Sequence, residues 1–127
     1  MADAAYQELR QLVLKQLWHL LQGDETPHQA VEQLLKHDLS NTLAIIFSMI
    51  FDVFKLSLNL TSAALDNQDS LKQLHKMCDK VNLRVLTDWL PYCLQTRHRL
   101  HNMPGVNILL TLEALLIRWQ QLRIDGC

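Results

Sequence analysis

Residues 39–58 read LSNTLAIIFSMIFDVFKLSL. Leu43, Ile46, Ile50 and Phe54 fall on one line of a helix, and Ile45, Met49, Val53 and Leu56 on a second, with Phe47 and Phe51 between them. A helix that is apolar nearly all round must be surrounded, either by protein or by lipid. Asp52 and Lys55 decide between the two, because each charge costs about 3 kcal/mol at a bilayer centre. No other stretch resembles a membrane span. The segment from Leu39 to Leu58 is therefore expected to be the central helix of a soluble bundle, and no membrane is expected as a partner.

Working outward from it, Leu9, Leu12, Val13, Leu17, Leu20 and Leu21 repeat at helical spacing, with Leu14 and Trp18 widening the face. They predict a first helix from Asp3 to Gln22, stopped by Gly23. Thr26, Pro27 and Gln29 form a capping box with proline in the first turn. The second helix then buries Ala30, Val31, Leu34 and Leu35 and ends near His37. Leu60 to Asp69 is polar and reads as a loop. A short fourth helix follows, with Leu71, Leu74 and Met77 or Cys78 facing inward, and a break lies between Asp79 and Val81. The fifth helix spans Asn82 to Asn102 and carries Val85, Leu86, Trp89, Leu90, Cys93 and Leu94. Pro91 inside it removes one backbone bond and predicts a kink. Met103-Pro104-Gly105 is a turn, and Asn107 is a suitable cap for a last helix reaching Arg123. That helix has apolar lines at Ile108, Leu112, Leu115, Trp119 and Leu122, at Leu110, Ala114 and Ile117, and at Leu109 and Leu116. The fold class is all-α: one compact bundle of five to six helices over residues 1–127.

Composition narrows the functions open to such a bundle. The chain has 127 residues, 49% hydrophobic, with a net charge of −1, so no strong field draws nucleic acid or an anionic membrane. Its three glycines, Gly23, Gly105 and Gly126, do not have the spacing of a phosphate-binding loop. Cys78, Cys93 and Cys127 are widely spaced and form no Cys-x-x-Cys, which suits reduced thiols in the cytoplasm better than disulfides or structural zinc. No signal peptide is evident. Asn59-Leu60-Thr61 matches a glycosylation acceptor, which has no meaning without a secretory route.

Candidate chemistry is sparse. His98 and His101 are one turn apart but lack the spacing and intervening glutamate of a helical zinc pair, and Arg97 and Arg99 oppose a cation. His75 and Cys78 have no further ligands at suitable spacing. No serine or cysteine sits on the sharp glycine turn that nucleophiles use. Asp52 is the unusual carboxylate; it is expected to pair with Lys55 or cap nearby backbone rather than act as an acid or base. Lys72, Lys76, Lys80 and Arg84 recur every four residues, but Asp69, Asp79 and Asp88 break the field, so direct DNA contact is not expected. No catalytic, cofactor or metal residue is expected. The first, third and last helices each have more apolar face than one small core requires, and the remainder points to protein contacts. A helical adaptor taking a partner helix in a groove fits the same pattern.

Gly105-Val106-Asn107 followed by Leu110, Leu112, Glu113, Ala114, Leu115, Leu116 and Ile117 resembles the closing helix of bacterial clamp-loader subunits. Leu43 to Lys55, with Ile46, Ser48, Asp52 and Lys55 in register, is similar to the central helix of the delta prime subunit of DNA polymerase III. Leu83 to Leu86 and Arg97 to Leu100 resemble its penultimate helix. The likeness covers Tyr6 to Leu122 and departs around Trp89 to Leu94, where Pro91 falls. It implies a subunit with an ATPase-like module bearing a zinc insert, a lid domain and a helical C-terminal domain, of which this chain matches only the last. It further implies assembly with delta and gamma or tau into a collar that supports loading of the beta sliding clamp by the polymerase holoenzyme. No catalytic residue of the family lies in this region. Asn107, Leu112, Leu116, Ile117 and Trp119 are the residues expected to pack the closing helix or contact neighbouring subunits, with Asn107 fixing its start.

Overall fold

A computed structural model describes residues 4–59 and 64–124. They form six α-helices: α1 Ala4–Gln22, α2 Pro27–Leu34, α3 Leu39–Ser57, α4 Leu71–Lys80, α5 Leu83–Arg99 and α6 Gly105–Gln121. Short 3-10 turns at Gln68–Ser70 and Leu100–Asn102 lead into α4 and out of α5. Among the described residues there is no strand, only an isolated antiparallel bridge between Val81 and Arg123. The all-α class holds. Cys127, Gly126 and the Leu60-Thr61 part of the glycosylation acceptor lie outside the described residues, as does most of the start of the loop expected from Leu60.

The local signals work as their chemistry requires. At the end of α1, Gly23 takes a φ of 83°. Its N–H donates to the Leu20 carbonyl, and the Asp24 N–H donates to the His19 carbonyl at 3.0 Å. This pair of bonds satisfies the orphan carbonyls and closes the helix. The Gln29 N–H donates to the Thr26 hydroxyl, and the Gln29 side chain accepts from the Thr26 N–H, completing the capping box. Asp38 and Asn82 cap α3 and α5 by accepting from Asn41 and Val85.

Four sequence expectations need correction. Leu35 is not buried by α2: it lies just past the last helical residue, Leu34, and is 47% exposed. Asn107 does not cap α6. Pro104 occupies that position with extended backbone, its carbonyl accepts from the Ile108 N–H, and no side chain caps the helix. Proline presets the backbone there and starts the helix earlier, leaving Asn107 inside the first turn and exposed. The regular part of α5 ends at Arg99, because Leu100–Asn102 tightens into a 3-10 turn. The stretch after Thr61 is not wholly a surface loop either: Leu65, Asn67 and Ser70 are buried. Pro91 sits within α5 on its exposed side, where solvent is available to the carbonyl that loses its donor.

Helix α3 is the centre. It packs on α1, α4, α5 and α6, and Leu43, Ile46, Phe47, Met49, Ile50 and Val53 are enclosed. Among the described residues it alone has the length and hydropathy to cross a membrane. Its burial inside the bundle accounts for that apolarity. Phe51 lies at the edge, stacked on Phe47 at 6.4 Å between ring centres and covered by the Arg97 guanidinium 4.6 Å above it.

Asp52, fully buried on α3, reaches across to the segment before α4. One carboxylate oxygen accepts from the Asp66 N–H at 2.9 Å. The other accepts from the Asn67 N–H at 2.7 Å and from its side-chain amide at 2.8 Å. Lys55 stands 3.9 Å from the carboxylate and donates to the Ala64 carbonyl. Asp52 thus both pairs with Lys55 and caps a neighbouring backbone. Arg10 of α1 extends the network, donating to Asn67 and gripping Asp69 through both oxygens at 2.7 and 2.9 Å. Each buried donor and acceptor in this network is matched, which is what makes a buried carboxylate tolerable.

Candidate subunit interface

Helix α6 has two unlike sides. Its inner side carries Leu112, Leu115, Leu116, Trp119 and, just beyond its end, Leu122, all buried. The Trp119 indole N–H donates to the Leu17 carbonyl of α1 at 2.9 Å. The Gln120 amide donates to the Leu20 and Glu25 carbonyls. Beyond the helix, the Asn82 N–H donates to the Leu122 carbonyl at 2.7 Å, and the Ile124 N–H to the Lys80 carbonyl at 2.8 Å. Packing on α1, α2 and α3 together with these bonds fixes the orientation of α6.

Its outer side is apolar and open. Val106 is 67% exposed, Leu110 58% and Ile117 47%, with Ala114 also exposed between them. Steps of four, four and three residues put them on one face. Both α5 and α6 lean on α3, and between them runs a shallow groove lined by Tyr92, Met103, Asn107, Leu110, Thr111 and Ala114. Tyr92, 48% exposed, brings an aromatic ring to the strip from α5. Glu113, Asn107 and Arg118 are exposed on the same helix and supply polar neighbours. An apolar centre edged by polar groups is the anatomy of a protein–protein contact. Finishing the burial of Leu110 or Ile117, each already about half covered, contributes on the order of 1 kcal/mol.

The five residues singled out from sequence therefore separate. Leu112, Leu116 and Trp119 are in the interior, and Asn107 and Ile117 face outward. Val106, Leu110 and Tyr92 belong with the outer pair and were not singled out. The Leu110–Ala114–Ile117 line was visible as a periodicity, but which of three apolar lines stays uncovered depends on where α1, α2 and α3 lie.

Burial pushes the Cys93 thiol up to about 12, and burial together with the nearby Asp79 raises that of Cys78, both shifts disfavouring the thiolate that nucleophilic chemistry needs. His75, His98 and His101 are exposed, and among the described residues no group of three or more His, Cys, Asp or Glu side chains is placed to hold a metal ion. Both Asp52 oxygens are occupied by the backbone they cap.

A family model described as DNA polymerase III, delta subunit, C terminal matches residues 5–121. The chain belongs to this family. No curated protein and no solved structure gives a match. Membership agrees with the clamp-loader resemblance of the closing and central helices. The family description names delta, however, where the sequence resemblance pointed to delta prime. The match reaches all six helices, so the outward strip of α6 lies within the matched domain of the delta family and not in an appended segment.

Proposed function

We propose that this domain is the collar-type assembly module of a clamp-loader subunit, contributing to loading of the beta sliding clamp during replication. Its partners on this reading are the C-terminal domains of neighbouring delta-type and gamma or tau subunits, in the cytoplasm, and its own DNA contact is incidental. The observation that carries the proposal is the apolar strip Val106–Leu110–Ala114–Ile117 on a helix locked from within. A rigid, half-buried apolar face binds with little ordering cost. Family membership supplies the setting for such a contact. The ATPase-like and lid modules of the parent subunit would lie outside this chain.

Reconstitution tests the reading. The chain, mixed with purified delta, delta prime and gamma subunits, is expected to enter a complex that survives gel filtration, and to displace the subunit whose place it takes. Displacement of delta would agree with the family description, and displacement of delta prime with the sequence resemblance. A chain that elutes alone at micromolar concentrations with every subunit would refute the assembly role.

A further inference from the structure

A second surface lies between α1 and α4, and shares no lining residue with the α6 strip. Its floor is Leu14 and the half-buried indole of Trp18. Gln11 and Gln73 stand along it, with Lys15 on the α1 wall and Lys76 on the α4 wall. None of these lining residues is a carboxylate. Lys72 and Lys80, one turn to either side of Lys76, extend the positive edge along exposed α4. Lys15 also stands near Glu25, whose carboxylate it favours, and lines a neighbouring hollow with Asp24 and Glu25; Lys76 has no such carboxylate among the lining residues of the groove. Trp89 is almost fully buried and Trp119 fully so, which leaves Trp18 as the one indole of the three with substantial access to solvent.

We infer that the α1–α4 groove docks an acidic amphipathic segment of a partner protein. An apolar side chain of that segment would seat against Trp18 and Leu14, and its carboxylates would pair with Lys15 and Lys76 across the groove. The glutamine amides can donate to and accept from its backbone or polar side chains. Lysines four residues apart on α4 match carboxylates repeating once per turn on a facing helix, which is how a helix is read in a groove. Nucleic acid fits less well. A single aromatic ring offers one stacking position rather than a track of them.

The full chain can be titrated with a short synthetic peptide that alternates glutamate with leucine in helical register, and followed by NMR. The Trp18 indole N–H and the Gln11 and Gln73 side-chain amides are expected to shift, while Val106, Leu110 and Ile117 stay unmoved. Lys15→Glu combined with Lys76→Glu, both at exposed positions, should weaken binding by about tenfold or more with an unchanged circular dichroism spectrum. The matching lysine-for-glutamate peptide should not bind. The inference is overturned if Trp18 does not respond, if the double variant binds as well as the parent chain, or if oligodeoxythymidylate takes this groove more tightly than the acidic peptide.

Discussion

Helices α3 and α6 look alike in sequence and differ in the fold. Each carries several apolar lines, and by composition each calls for cover on most sides. Helix α3 receives it, from α1, α4, α5 and α6, and even its buried aspartate is fully hydrogen bonded. Helix α6 is covered by α1, α2 and α3 on one side only, and Val106, Leu110 and Ile117 remain outside. The same composition thus serves the core in one helix and, in the other, leaves the apolar face on which the proposed assembly role rests. Neighbours, not periodicity, decide which.

If that contrast is right, substitutions in the two helices should read out in different experiments. The largest loss of stability is expected from Phe47→Ala, which empties a fully buried site on α3 and should cost about 3–5 kcal/mol in urea unfolding. A loss under about 1 kcal/mol would mean that α3 is not the packed centre. Asp52→Ala should cost about 2–4 kcal/mol, because it leaves the Asp66 and Asn67 N–H groups without their buried acceptor. Hydrogen exchange at Asn67 should accelerate in the same variant, and unchanged protection there would remove Asp52 from its capping role.

A smaller effect is expected at the rim of this network. Arg10 holds the Asp69 carboxyl below its ordinary value of 3.8 through their hydrogen bonds. A group whose value is depressed on folding adds stability above its unfolded value and loses it as pH falls through the folded one. The pair is partly exposed, so Asp69→Asn should cost less than about 1 kcal/mol at pH 7. That difference should shrink as the pH is lowered below 3.8, as thermal unfolding of the two chains across this range will show. A difference that grows with acidification would reverse the assigned sign. The smallest change in stability should come from Leu110→Ala on the outer side of α6, within about 0.5 kcal/mol.

Much of this architecture was legible from local chemistry. Gly23, the Thr26–Gln29 box and the three-and-four spacing of leucines act over a few residues, so they could be read directly. Asn107 misled because a good capping side chain was outcompeted by Pro104, whose backbone was already set for a helix start. The candidate interface was legible only as an excess. Sequence showed that α6 has more apolar lines than it needs. It could not show that Leu112, Leu116 and Trp119 turn inward while Leu110 and Ile117 stay out, because that division is made by helices as far away in the chain as α1, whose Leu17 lies 102 residues before Trp119. Asp52 posed the same problem: its carboxylate could be marked as unusual, but its partners at Asp66 and Asn67 come from a segment brought back by the fold.

The central claim is that the outer face of α6 is for assembly and not for holding this domain together. Leu110→Asp combined with Ile117→Asp tests it most directly, measured as urea unfolding of the chain alone and as its retention by immobilised delta, delta prime and gamma subunits. The account predicts an unfolding midpoint close to that of the parent chain and a loss of retention of about thirtyfold or more, as expected when apolar anchors at the centre of a contact become charged. Undiminished retention, or a domain that unfolds before it fails to bind, would contradict it.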